Sequence, residues 1–235
     1  MLLAFVNSFT GHHSKARQSA DTTVITNTSS PTGTLSMLHR LSHLILTFSM
    51  GALAFVACYA LVAKLVTPIQ SIFLPEITAY ASLVFLPHGV RILWTMYLGR
   101  RAILPLLAGQ WASSYLFGPE GVPYLADLWT AASHVISATC AFAAFEIFRL
   151  FGKDYYFSPN DRSTHWKELV CVGLLASVLN SLGQVFVYSA HIDPAAFLRV
   201  ASTYALGDTI GLLVTMLFLM LFFRWVRIAR KALGK

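Results

Sequence analysis

The sequence predicts an all-α, polytopic membrane helix bundle of about six transmembrane helices with both termini cytoplasmic. Three observations lead there. Of 235 residues, 56% are hydrophobic and 11% charged, with a mean hydropathy of +0.64. Soluble domains carry roughly 25% charged residues, so this chain has too few to cover a water-soluble globule. Its 17 Phe exclude wholesale disorder, which needs sequences poor in large apolar residues. Six apolar stretches follow one another, and Lys and Arg gather between alternate ones.

Each stretch is near the length of about 20 residues that a spanning helix needs. The first runs from about Leu41 to Val66 and the second from about Leu74 to Leu98, broken at Pro87-His88-Gly89. The third, Ala102 to Phe117, is short. The fourth runs from Leu125 to Phe148 and the fifth from Leu169 to Ala190. The sixth runs from about Tyr204 to Val226, after an interfacial helix over Pro194 to Ala201. Residues 1–35, rich in Ser, Thr and Asn, read as a disordered polar tail. Residues 36–228 form the transmembrane domain and residues 229–235 a basic tail. Asn27-Thr28-Ser29 is a glycosylation sequon discounted by its cytoplasmic side.

Fourteen of the 17 Lys and Arg fall on one side of a six-span bundle. Lys15, Arg17 and Arg40 precede the first span, and Arg100 and Arg101 separate the second and third. Arg149, Lys153, Arg162 and Lys167 separate the fourth and fifth, while Arg224, Arg227, Arg230, Lys231 and Lys235 follow the sixth. The opposite loops, Thr67 to Phe73, Gly118 to Tyr124 and His191 to Pro194, carry none. This is the positive-inside asymmetry of an inner-membrane protein. The net charge of +7 therefore points to the bilayer and not to nucleic acid, and the basic tail from Arg224 to anionic lipid.

Small residues recur at helical spacing: Gly207 and Gly211, Ala108 and Ala112, Gly173, Ser177 and Ser181, and Ser133, Ser137 and Ala141. Such faces let helix backbones approach closely in lipid, and they also allow a homo-oligomer. Cys58, Cys140 and Cys171 lie in apolar segments without ligand spacing, so neither a disulfide framework nor a metal site is expected. No nucleotide-binding or hydrolase motif occurs, so neither cofactor nor enzymatic activity is expected.

Polar groups in hydrocarbon cost a few kcal/mol and so face the bundle interior with a partner. At about 1.5 Å per residue, Arg91 lies about 13 Å from the Arg100 edge; His134, Asn180, Gln184 and Asp208 form a layer about 20–26 Å from their own basic ends. These five, with His88, are the candidate ligand-binding residues. In one reading they line a cavity open to the outside, where Arg91 binds an anion or polar ligand. In the other, Arg91 pairs with Asp208 or Glu76 and the remaining groups are interhelical glue. A buried ion pair is a poor source of stability alone, which favours function for Arg91 and Asp208. Pro87 removes a backbone donor, and the helix resuming at Gly89 would turn exposed amides toward Arg91.

Three stretches resemble the MASE1 family: Leu86-Pro87-His88-Gly89-Val90-Arg91, then Leu98-Gly99-Arg100-Arg101-Ala102-Ile103-Leu104-Pro105 with Gly109, then Leu206-Gly207-Asp208-Thr209-Ile210-Gly211. They cover about a fifth of the chain, in the family's order. The resemblance implies an integral membrane sensory domain of bacteria, usually joined to a histidine kinase, diguanylate cyclase or phosphodiesterase. Against that pattern the chain is short, with about six spans instead of about eight, and no output domain follows Lys235. The resemblance therefore implies a stand-alone sensory module that binds a small ligand or membrane partner and relays it to a separate signalling protein. A substrate-binding subunit of a multi-component transporter and a structural subunit of a larger membrane complex are the alternatives.

Overall fold

The computed structural model describes residues 32–78, 82–118, 127–158, 166–189 and 197–233. The sequon at Asn27, the basic residues Lys15, Arg17, Arg162 and Lys235, and residues 119–126 and 190–196 of the opposite loops lie outside them. All described regular structure is helical: α1 (Thr32–Leu61), a π segment (Val62–Val66), α2 (Thr67–Phe73), α3 (Pro75–Thr78), α4 (Pro87–Leu98), a 3₁₀ turn (Gly99–Ala102), α5 (Ile103–Phe117), α6 (Leu128–Leu150), α7 (Trp166–Val187) and α8 (Phe197–Leu233). The chain divides into a unit ending at Leu46, whose described part is the start of α1, and a unit from Thr47 to the C-terminus.

Among the described residues, four helical stretches are long and apolar enough to cross a bilayer: Leu41–Phe73, Leu128–Leu150, Trp166–Val187 and Phe197–Ala232. Their surfaces carry large apolar side chains, with Leu53 67%, Phe186 78% and Phe218 64% exposed. Arg91, Asp208 and His88 are meanwhile buried to 2%, 1% and 0% exposure. An apolar exterior around a charged interior is stable only where lipid is the solvent.

Between the long helices lies a shorter pair. Helix α4 has 12 residues and α5 has 15, about 18 and 23 Å, against a hydrocarbon core of about 30 Å. They meet at the 3₁₀ turn, where Gly99 takes a positive φ of 55°. Phe55 of α1, Val90 of α4, Ala102 of the 3₁₀ turn, Leu106 of α5 and Ala138 of α6 form the core beneath this pair. Helix α6 packs on α7, α7 on α8, α8 on α4 and α5 on α6. After α6 the chain folds back beside the 3₁₀ turn. There Phe157 N–H donates to the Met96 carbonyl at 2.9 Å, and its ring stacks on Tyr97 at 4.4 Å. The basic pairs Arg100/Arg101 and Arg149/Lys153 therefore sit on neighbouring turns at one end of this unit.

Three boundaries differ from the sequence reading. Thr67 to Phe73, read as a loop, continues the first helix through the π segment, with Pro68 just past the junction. The break in the second stretch lies ahead of Pro87, not across Pro87–Gly89. Pro87 is the first residue of α4, and residues 82–86 are non-helical. The N–H groups of His88 and Gly89 donate to the Phe85 and Leu86 carbonyls, so those amides are not left exposed. Ala201 belongs to a single 37-residue α8 and not to a separate interfacial helix, because apolar periodicity continues unbroken through Tyr204.

The glycines of α8 have an unexpected neighbour. A Cβ on Gly207 would collide with the carbonyl oxygen of Ser82, and one on Gly211 with that of Phe85. The groove in α8 thus seats the non-helical segment 82–86, where Phe85 N–H donates to the Gly207 carbonyl at 2.9 Å. Non-helical backbone at membrane depth needs such cover. Gly89 presses on Thr215, whose hydroxyl donates to the Leu86 carbonyl at 3.2 Å. Gly173 receives the Leu212 side chain, and the Ser177 hydroxyl donates to the Ala205 carbonyl at 2.7 Å, drawing α7 onto α8. In α5 the close approach is made by Gly109, against Ala52 and Phe55 of α1; Ala108 and Ala112 on either side are half-buried.

Candidate functional site

At the end of the unit remote from the basic turns, the start of α4, the end of α5, the start of α6, the end of α7 and the start of α8 surround a cavity of ≈ 560 Å³. Arg91, His134, Asn180, Gln184 and Asp208 all line it, together with Gln110 and Ser133. Arg91 lies in the same cavity wall as the other four and not below them, its guanidinium 3.9 Å from the Asp208 carboxylate. His88 sits behind Asp208, fully buried. Glu76 falls in α3, but its side chain lies outside those described.

The carboxylate of Asp208 is held by α7. Asn180 Nδ2 donates to Asp208 Oδ2 at 2.6 Å. Asn180 is fixed in turn by Gln184, whose Nε2 donates to Asn180 Oδ1 at 3.3 Å and to the Ser133 carbonyl at 3.1 Å. The Ser133 hydroxyl donates to Gln184 Oε1 at 2.7 Å. These amides are spent on each other and on the helices they join. A buried network so fully satisfied sets the geometry of what it holds.

Arg91 is placed differently. Its Cζ lies 5.0 Å from the ring centroid of Phe85 and 5.7 Å from that of Phe55. Rings within about 6 Å attract a guanidinium, by about 2 kcal/mol where water is excluded. The Asp208 carboxylate is near but not bonded: Nη1 to Oδ1 is 3.9 Å, beyond hydrogen-bond reach. Nε and Nη1 of Arg91 have no hydrogen-bond partner. Each such buried donor costs about 1–3 kcal/mol. Gln110 Oε1 and His134 Nδ1 are also buried without partners. His134 Nε2 lies 2.9 Å from the Ser114 hydroxyl and its ring meets Trp111 edge-on at 5.0 Å. So the cavity wall holds donors on Arg91, an acceptor on Gln110 and a ring nitrogen on His134, all unused. The rest of the wall includes the aromatic residues Tyr59, Phe85, Phe117, Tyr188 and Tyr204.

His88 completes the charged layer. Its Nε2 lies 3.1 Å from the Gly173 carbonyl oxygen and its Nδ1 3.5 Å from Asp208 Oδ2. No group of three His, Cys, Asp or Glu side chains that could hold a metal ion occurs among the described residues.

Gln110 and Phe85 deepen the site beyond the six residues that spacing singled out. Gln110 was legible as a polar residue in an apolar helix. Phe85 was not, because it lies in a non-helical segment where helical spacing places nothing.

Neither the curated proteins nor the solved structures give a match to the chain. The family model for MASE1 matches residues 52–229, a span that contains Arg91, Asp208 and every cavity residue named above. With that match over most of its length, the chain belongs to the MASE1 family, a membrane sensory domain and not an enzymatic one.

Proposed function

We propose that this MASE1 domain binds a small anionic or polar ligand in the cavity beside Arg91, and that cavity occupancy is relayed along α4 to the basic turns at the other end. The observation that carries this is the pair of unpartnered N–H groups on a buried guanidinium in a cavity wall. A guanidinium kept only for stability would be bonded to the carboxylate beside it, because unpaired buried charge is destabilising. Here the scaffold residues Asn180, Gln184 and Ser133 hold Asp208 in place, while Arg91, Gln110 and His134 present free valences to the cavity. The volume lies within the usual ligand-pocket range of about 300–1,000 Å³.

The positive-inside pattern supports an inner-membrane location with both termini cytoplasmic, which puts the cavity on the outer side. With four long crossings, the α4–α5 pair supplies the fifth and sixth. The signal then arrives at turns 99–102 and 151–158 on the cytoplasmic face, where an output protein reads it.

A cysteine-accessibility scan tests the reading. In a background with Cys58, Cys140 and Cys171 replaced by Ala, cysteines are placed singly at His134, Asn180 and Asp208. A small, charged, membrane-impermeant thiol reagent added outside is expected to label them, and to label none placed at Ala144 or Val172, buried deeper. Failure to label all three would remove the outward cavity.

A further inference from the structure

His88 and Asp208 face each other with one hydrogen too few. The Gly173 carbonyl can only accept, so Nε2 of His88 carries the hydrogen that points at it. In the neutral ring Nδ1 is then a bare lone pair, and it lies 3.5 Å from a carboxylate oxygen that is also an acceptor. That Nδ1 has no hydrogen-bond donor or acceptor paired with it. Two acceptors turned toward each other in a fully buried layer form a vacancy for a proton.

The charge balance of the layer says when that vacancy fills. Arg91 and Asp208 offset each other, so the empty cavity is close to neutral. An anion that takes the free Nε and Nη1 of Arg91 leaves one uncompensated negative charge in a low-dielectric site, and such a charge is costly. One proton between Asp208 and His88 restores neutrality. Asp208 lines the cavity and His88 lies behind it, so the proton enters from cavity water through the carboxylate. The groups around the ring do not offer another cation. From α4 it faces Arg91, from α8 Asp208, and from α7 the Gly173 carbonyl. From α6 the Cys140 thiol is within electrostatic reach of Arg91 and Asp208, as is the Tyr204 phenol of α8 with Asp208.

We infer that the site takes a small monocarboxylate together with one proton, the carboxylate going to Arg91 and the proton to the His88–Asp208 pair. The inference rests on the ligand cavity proposed above and names its ligand class. One guanidinium matches one carboxylate, whereas a phosphate dianion would need a second cation. The aromatic side of the cavity, with Tyr59, Phe117 and Tyr188, suits an apolar body on the acid. No covalent bond changes: the proton is taken from solvent on binding and returned on release.

Benzoate is the probe and benzyl alcohol its neutral isostere, titrated calorimetrically into the full chain in lipid nanodiscs. Repeating the titration in buffers of different ionisation enthalpy counts protons. Benzoate is expected to bind with uptake of one proton, and its affinity to fall about tenfold per pH unit on the alkaline limb, while benzoate itself stays ionised. His88→Gln is expected to bind benzoate with that slope abolished, and Arg91→Gln to lose at least tenfold in affinity. Benzoate binding to the unaltered chain without proton uptake overturns the coupling and leaves the cavity standing. This count needs no variant, so it decides even if His88→Gln does not fold. A slope that persists in folded His88→Gln overturns the assignment to His88. Binding of benzyl alcohol but not benzoate overturns the ligand class. Binding of neither overturns the inference alone where the cavity cysteines label, and the cavity with it where they do not.

Discussion

Replacing Gly211 by Ala tests whether α8 is grooved for the segment that precedes α4. The new methyl would overlap the Phe85 carbonyl, a backbone group fixed by its own hydrogen bond and unable to swing aside. The two backbones must part by about 1 Å to restore van der Waals contact. That stretches the 2.9 Å bond from Phe85 N–H to the Gly207 carbonyl past useful length, a loss of about 0.5–1.5 kcal/mol. Overpacking adds about 1–3 kcal/mol. Against this, Ala in a helix gains about 1 kcal/mol over Gly. The balance is a destabilisation of about 1–3 kcal/mol, or about 3–10 °C in Tm for a chain of this size. Gly183→Ala is the control. It also sits in a helix, but its methyl would meet only the Ile136 side chain, which can move. The same propensity gain applies to both, so their difference isolates the backbone collision. Thermal unfolding in one detergent, followed by tryptophan fluorescence, measures it. A Gly211→Ala Tm equal to or above that of Gly183→Ala would refute the seating of residues 82–86 on α8.

Three further outcomes are expected. Asn180→Ala removes the donor that holds Asp208 and should cost about 1.5–3 kcal/mol, the range for a hydrogen bond to a charged group; the loss should shrink in an Asp208→Asn background, and equal losses in a double-mutant cycle would show the pair uncoupled. Phe157→Ala removes the ring stacked on Tyr97 and should raise amide exchange around Met96 to Arg101 with little change near Asn180, as hydrogen exchange resolved by mass spectrometry would show. Tyr156, on the turn after α6, has its phenol pKa raised, first by burial and then by its 2.9 Å bond to Glu146. A raised folded-state pKa contributes stability that is intact below the unfolded value of about 10 and lost as pH climbs beyond it. Tyr156→Phe should therefore lower Tm near neutrality and flatten its alkaline decline, and an unchanged decline would place that titration elsewhere.

Membrane class was legible because it rests on averages: the fraction of charge and the length of apolar runs do not depend on how helices pack. The layer of His134, Asn180, Gln184 and Asp208 was legible for a related reason. Depth along a regular helix is fixed by rise per residue, so counting from the basic ends places residues on different helices at one level. Counting gives depth along one helix but not the level of one helix against another. Arg91 was placed below that layer by a count from Arg100, yet the structure brings its guanidinium within 3.9 Å of the Asp208 carboxylate and into the same cavity wall. The non-helical approach to α4 hid Phe85, which reaches the Arg91 face by segment 82–86 lying against α8. Small residues at four-residue spacing showed that something approaches α8 closely, but a glycine groove does not record whether its occupant is a helix or a non-helical segment.

That segment also explains why Arg91 and Asp208 stay apart. The position of α4 is set by contacts that ignore charge: Phe85 bonded to Gly207, Gly89 pressed on Thr215, and Leu86 accepting from Thr215. Asp208 is set by Asn180 of α7. With both anchored independently, the guanidinium can close on the carboxylate only by leaving Phe85 or by pulling Asp208 from Asn180. Either move gives up a contact of the same order as the one gained. The 3.9 Å separation is thus held by the surrounding helices, and the unbonded edge of Arg91 stays available. On the reading proposed above, a ligand that satisfied that edge would stabilise the seated position of α4. Because the far end of α4 is tied to the 151–158 turn through Met96 and Tyr97, that change would reach the basic turns through a single helix.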